Sequence, residues 1–226
     1  MPYNSDTSNM LKLPDLPSHT VNENRKLWDA YDWSKGGEEW NRSDVWKSFL
    51  IDKIMLKYIK RGSTILEIGP GAGRWTEILI KFADRMILVD ISETCLGLCK
   101  KRFKNYNNID YNLTDGRLDI ISNESVDYIW SYDVFVHVNP TDIDRYLQDI
   151  QRIIRPGGYA IIHHSGIYDD KTRVQGWRSC MNGNLFAYLV TKNGMKIVEQ
   201  NDDLVNIPGD LISIFTKPSE PRTQNR

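Results

Sequence analysis

The run Thr64-Ile65-Leu66-Glu67-Ile68 leads directly into Gly69-Pro70-Gly71-Ala72-Gly73. Its first half is short, apolar and β-branched, which reads as a buried strand. Its second half is a glycine turn, whose backbone takes left-handed angles easily and lies open to close approach by a ligand. Helical spacing resumes over about 74–82. Strand, glycine turn and helix in this order open a βαβ unit with a ligand site at the carboxyl end of the strand. Amides at the start of the following helix favour an anionic group on that ligand.

The alternation continues along the chain. A helix over about 43–60 precedes the first strand, with Val45, Phe49, Ile51, Leu56 and Ile59 among its positions. Strands are expected at 86–89, 109–112, 126–130 and 159–163, and helices at 93–104, 141–154 and 182–193. Ser92 suits the N-cap of the helix at 93–104, with Glu93 in its first turn. Pro156-Gly157-Gly158 stops the helix that begins at Thr141. Short apolar strands separated by helices imply a mostly parallel sheet. The last two strands, 196–200 and 211–216, have no helix between them and read as an antiparallel hairpin at the sheet edge. Residues 1–24 are polar, carry Pro2, Pro14 and Pro17, and read as a loose leader. Residues 218–226 read as a frayed tail.

Spacing narrows the ligand. The dinucleotide-binding pattern is G-x-G-x-x-G. Here the glycines fall at 69, 71 and 73, Arg74 follows, and Glu67 leads them. Asp90 closes the next strand about 20 residues after the first glycine, the step at which a carboxylate reaches the hydroxyls of a ribose. With 226 residues the chain suits one domain, and 29 Lys+Arg against 30 Asp+Glu leave no basic excess to draw it to nucleic acid. Cys95, Cys99 and Cys180 form no C-x-x-C, so neither a disulfide framework nor a zinc knuckle is expected. There is no basic segment followed by an apolar run, and no stretch approaches the ~18 apolar residues of a membrane span. A cytoplasmic protein is the expectation.

Glu67-x-Gly69-x-Gly71-x-Gly73 resembles motif I of the class I S-adenosylmethionine (SAM)-dependent methyltransferases, written E/D-x-G-x-G-x-G. The resemblance extends over about 45–217. Ser131-Tyr132-Asp133-Val134-Phe135-Val136-His137-Val138 is similar to the segment after the fourth strand of small-molecule methyltransferases, and Arg155-Pro156-Gly157-Gly158 to their turn before the fifth. It implies a Rossmann-like α/β fold with a seven-stranded sheet, in which 1–42 is a leader and lid, 43–217 the methyltransferase domain and 218–226 a flexible tail. It also implies SAM as cofactor and S-adenosylhomocysteine (SAH) as product. Glu67, Gly69, Gly71, Gly73, Arg74, Asp90, Ile91, Asp115, Gly116 and Ser131 would hold the cofactor, Asp115 by accepting from the adenine amino group. A bacterial subgroup that methylates glycans and secondary metabolites is closer still. It shares Trp33-Ser34, Gly37-Glu38-Glu39-Trp40, Gly73-Arg74-Trp75-Thr76, His163-His164 and Trp177-Arg178, but often has Asn where this chain has Ser165.

The expected reaction is in-line O-methylation of a sugar, glycan or other small hydroxylated metabolite. A hydroxyl is a poor nucleophile, so a base near neutral pH is useful, and His is the usual choice. His19 falls in the leader, away from the expected site. His137, His163 and His164 lie at the ends of the fourth and fifth strands, where the acceptor belongs. Adjacent strand residues point to opposite faces, so His163 and His164 cannot both face it. His137 and His163 are the candidate bases. Asp133, His164, Trp177, Arg178 and Trp33 are candidate acceptor contacts, with Trp33 part of a lid over Tyr31 to Trp40. A divalent ion on Asp133, His137 and His163 is the weaker reading, because hard cations prefer clustered oxygens, and no metal is assigned. Alternatives are N-methylation of a small molecule and an NAD-binding oxidoreductase, the latter disfavoured by the glycine spacing.

Overall fold

The computed structural model describes residues 13–166 and 178–219. Helix α1 (Val21–Ala30) comes first. A continuous helical stretch follows, made of α2 (Asp44–Leu50), a π-helical turn (Ile51–Met55) and α3 (Leu56–Tyr58). Then come β1 (Ser63–Ile68), α4 (Thr76–Leu79), β2 (Ala83–Asp90), α5 (Glu93–Arg102), β3 (Ile109–Leu113) and β4 (Val126–Ser131). The rest is α6 (Pro140–Ile153), β5 (Ile154–Ser165), α7 (Gly183–Lys192), β6 (Lys196–Asn201) and β7 (Asp210–Thr216). The strands form one sheet in the order β3-β2-β1-β4-β5-β7-β6. All neighbours are parallel except β7, which runs antiparallel to β5 and β6. This is the Rossmann-like arrangement of class I methyltransferases, ending in the expected hairpin.

Strands covered on both faces alternate between two cores. Leu66, Ile68, Ile87, Val89, Ile129 and Ile162 pack with Ile143, Leu147 and Ile150 of α6 and Phe186 of α7. Their sequence neighbours Ile65, Met86, Leu88, Trp130 and Ile161 pack on the other side, with Leu50 and Ile54 below and Leu96 and Cys99 of α5 beside them. The period-2 pattern of a strand dictates this split. The sheet order reverses between β1 and β4, which opens a crevice at their carboxyl ends. Ser131 Oγ donates to Ile68 O across that point at 2.8 Å.

Three expectations need correction. The helix at 74–82 is only four residues long, because β2 begins at Ala83 to pair with Ser63 and the chain between winds through turns. Pro156-Gly157-Gly158 does end α6, but it lies inside β5, where the register with β4 shifts between Val126 and Tyr128. Such a bulge absorbs turn residues without leaving the sheet. The third concerns the leader, whose described part is docked. Thr20-x-x-Glu23 caps α1, Thr20 Oγ1 accepting from Glu23 N. The Asn139 side chain grips the Leu16 backbone twice, at 2.8 and 2.9 Å. Arg25 Nε donates to Ile91 O, and Ser92 Oγ to Asp29 Oδ1. Among the described residues no helix is long and apolar enough to cross a membrane.

Candidate functional site

A cavity lies in the crevice between β1 and β4, roofed by the segment 19–40. Gly69, Gly71, Arg74, Asp90 and Ile91 line its floor, with Asp133 and His137 on the β4 side. Gly71 has φ +57, and a Cβ there would stand 2.7 Å from the Trp33 ring. The missing side chain is what lets the Trp33 indole of the roof settle on the turn. Trp28, Tyr31, Trp33 and Trp40 pack against one another with centroids 5.0–6.0 Å apart.

Two buried acids stand under the turn. Asp90 accepts from Ser92 N at 2.9 Å and Gly71 N at 3.4 Å. Burial outweighs those amides and pushes its carboxyl up to about 7. Glu67 does not line the cavity. It sits behind the glycine turn and accepts from Thr76 Oγ1 at 2.6 Å, and burial raises it to about 8. Both acids are therefore harder to ionise here than in water.

Several expected site residues stand elsewhere. Gly73 packs against Phe103 rather than the cavity. Ser131 is used in the β1–β4 lock. Asp115 is exposed in an outer cleft with Arg25 of α1 and Arg117, and does not line the cavity. Thr114 takes its place on the lining, and Gly116 is capped by Val21.

The histidines divide. His137 lines the cavity, its carbonyl held by Asn24 Nδ2 at 2.8 Å and its ring edge-on to Trp28 at 5.2 Å. His163 does point opposite to His164, yet neither reaches the cavity. His163 is fully buried, with Nδ1 3.2 Å from Asp133 Oδ1 and Nε2 3.3 Å from Asp210 Oδ2. The two carboxylates outweigh burial and raise its pKa. The Asp133 backbone N–H donates to Nδ1 at 3.1 Å, so the ring lies against Asp133 and away from the cavity lining. His164 bonds Ser213 Oγ at 2.7 Å and Ser165 O at 2.8 Å and stacks on Phe186. Burial lowers it to about 3, so it is a neutral core residue, not an acceptor contact. Arg178 forks onto Asp210 at 3.1 and 2.9 Å instead of presenting its guanidinium to the cavity. Trp177 lies outside the described residues.

Asp133 is one of two non-glycine residues with positive φ among those described, at 60°. Such backbone strain persists only where the surroundings impose it. Arg74 Nη2 binds Oδ2 at 2.5 Å, and with His163 on the other side it holds the carboxyl far below the usual range against the cost of burial. Among the described residues, no three His, Cys, Asp or Glu side chains form a metal-ligand group.

Sequence reasoning missed His19, Asn24, Trp75, Tyr132 and Tyr146, which also line the cavity. The capping box at Thr20 was the available signal that the leader near His19 is structured.

Residues 65–158 match the family described as "Methyltransferase domain". The chain is 27% identical over 176 residues to a ubiquinone biosynthesis O-methyltransferase of Coxiella burnetii, covering 75% of this chain and 65% of that one. It is 27% identical over 150 residues to a demethylmenaquinone methyltransferase of Tropheryma whipplei, covering 64% and 59%. The chain thus spans less than two thirds of the length of these relatives. Among solved structures it resembles the N-methyltransferase NodS of Bradyrhizobium japonicum in complex with SAH, with TM-score 0.67 and 20% identity over 88% of this chain and 100% of that one. It also resembles a Haloferax volcanii complex of the Trm112 methyltransferase activator and a methyltransferase, with TM-score 0.69 and 17% identity over 87% and 98%.

Proposed function

We propose that this chain, which carries a methyltransferase domain at residues 65–158 within a class I methyltransferase fold, transfers a methyl group from SAM to a small hydroxylated acceptor. The observation that carries the reading is the Asp90 carboxyl, buried at the cavity floor beside the Gly71 amide where the sheet order reverses. A carboxylate there accepts from both hydroxyls of a ribose, and the glycine turn gives the ligand room once the Trp33 ring lifts from it. Apolar Ile91 and Val89 flank the same floor and suit an adenine face.

Bound SAM supplies an electrophilic methyl on a sulfonium. The protein's part is alignment and proton removal. His137, at the β4 end of the cavity, is the residue we assign to take the acceptor proton. The roof over 19–40 excludes water and acts as the lid. The acceptor is a sugar, glycan or other small metabolite, with no resident metal, no nucleic acid partner and a cytoplasmic location. N-methylation is the second reading, supported by the likeness to an N-methyltransferase.

Calorimetry with SAH tests the cofactor. Wild type is expected to bind in the micromolar range, and Asp90→Ala about thirtyfold more weakly, the scale of hydrogen bonds to a charged group. NAD is expected to give no heat. Binding of NAD but not SAH would reverse the assignment. For the base, His137→Ala should keep SAH affinity and lose roughly 10²–10⁴ in labelled methyl transfer. Unchanged turnover would remove His137 from that role.

A further inference from the structure

We infer, on the methyltransferase reading above, that α1 is a crossbar joining the cofactor end of the cavity to its acceptor end. Asn24 and Trp28 are positioning residues for His137, and Arg25 and Asp29 tie their placement to the seat of the same helix beside the cofactor. Residues four apart share a helix face. Asn24 and Trp28 form one such pair. Asn24 Nδ2 donates to His137 O at 2.8 Å, and the Trp28 ring meets the imidazole edge-on at 5.2 Å. Arg25 and Asp29 form the adjacent pair, about 100° around the helix. Arg25 Nε donates to Ile91 O at 2.9 Å and Nη2 to Thr114 O at 3.4 Å. Asp29 Oδ1 accepts from Ser92 Oγ at 2.6 Å, and Ser92 N in turn donates to Asp90 Oδ1 at 2.9 Å. Val21 closes on Gly116, where an added Cβ would stand 2.7 Å from its Cγ2.

The sheet order gives these contacts their meaning. β3, β2, β1 and β4 are successive neighbours. The helix therefore rests on the segments after β3 and β2 on one side and on the segment after β4 on the other, and passes over the glycine turn of β1. Asp90, Ile91 and Thr114 line the first side of the cavity, and His137 lines the second. Val136 is anchored by Ser179 N at 2.8 Å. Beyond it the backbone is held from the roof and leader, by Asn24 at His137 and by Leu16 at Asn139.

A ligand at Asp90 enters while α1 is lifted, and a lifted α1 withdraws Asn24 and Trp28 from His137. The proposed base is placed when the helix comes down over the cofactor. The order that follows is cofactor first and acceptor second, with SAH leaving last. Coupling of this kind is reciprocal. Whatever seats α1 on the cofactor side steadies His137, and whatever steadies His137 tightens the hold on the cofactor.

Ring-proton NMR of the histidines tests the crossbar without turnover and without ligand. The chain has 4 histidines, and the His137 signal is the one lost in His137→Ala. Arg25→Ala combined with Asp29→Ala cuts the cofactor side alone, since both side chains stand in the outer cleft and neither lines the cavity. In that variant the His137 signal is expected to leave its wild-type position, while the signal of His164, stacked on Phe186 in the core, stays. SAH affinity should fall about tenfold, the scale of one hydrogen bond. Arg25→Lys combined with Asp29→Asn keeps a donor and an acceptor and should restore both readings. An unmoved His137 signal or unchanged SAH affinity in the alanine variant, or failure of the conservative variant to restore them, overturns the inference. If the alanine variant also moves His164, Asp29→Ala alone, at an exposed side chain, decides by the same comparison. Absence of SAH binding in wild type is a separate result. It overturns the methyltransferase reading, and the ligand-free spectra still judge the crossbar.

Discussion

Gly73→Ala is expected to destabilise the protein by about 3 kcal/mol and to lower its thermal midpoint by roughly 10 °C. Gly73 has φ +88, outside the range of L residues, and a Cβ would stand 2.4 Å from Phe103 Cε2 and 2.8 Å from Cζ. Phe103 is buried at the end of α5, in contact with the core on that face of the sheet. The ring cannot retreat without pushing on that core, so the backbone strain of roughly 1–2 kcal/mol is joined by overpacking. Gly157→Ala is the control. Its φ is +80, but nothing lies within 4 Å of an added Cβ. That variant should lose only the backbone share. Differential scanning calorimetry of the two decides the matter, and equal losses would remove Phe103 from the account. Because Gly73 anchors the turn that carries Gly71, the same variant should also lose most of its heat of SAH binding.

In the absence of SAH the protein should lose stability as pH rises from about 4 to 8. In the unfolded chain Asp90 and Glu67 ionise near their ordinary values of 3.8 and 4.5. In the folded protein they hold their protons up to about 7 and about 8. Across that window the folded state binds more protons than the unfolded state, so stability falls with rising pH and levels off above the folded values. Roughly 4 kcal/mol is at stake for each acid, at ~1.4 kcal/mol per pH unit. SAH reverses the trend. On the proposed reading ribose hydroxyls would donate to the ionised Asp90, so affinity should rise up to about pH 7 and then stay level. Thermal midpoints of wild type and Asp90→Asn at pH 5.5 and pH 8, each with and without SAH, test both statements. The variant's midpoint should vary less with pH, and SAH should protect wild type more at pH 8. Parallel behaviour of the two proteins would count against a buried, protonated Asp90.

The sheet was legible in the sequence because each strand is a short apolar run with its turn residues beside it. Asp90 was legible because its distance from Gly69 is fixed by one βαβ unit. The histidines were not. Periodicity separates His163 from His164, but it cannot tell that Asp133 and Asp210, far apart in sequence, converge on the first. Arg178 misled for the same reason, since its partner Asp210 arrives through the β6–β7 connection. Asp115 opens into an outer cleft beside Arg25 and Asp29 of α1 and not into the cavity, which its place after β3 could not tell. That helix has a capping signal at Thr20, but its polar composition masked the docking carried by Arg25, Asp29 and Asn24. Tyr132 and Trp75 looked like ordinary core aromatics, and only the fold places them on the cavity wall.

The Trp33 indole resting on Gly71 bears on timing. An adenosyl ligand cannot touch the turn until that ring and its neighbours lift, and Arg25, Asn24 and the Leu16–Asn139 pair hold the segment down. Entry is then a first-order event within the protein, followed by fast capture. In stopped-flow traces the observed rate should climb with SAH at low concentration and reach a plateau equal to the opening rate. Lid motions of this kind run on microseconds to milliseconds. Cutting the Arg25 tether should raise the plateau and the departure rate together, so the protein would exchange SAH faster while holding it less tightly.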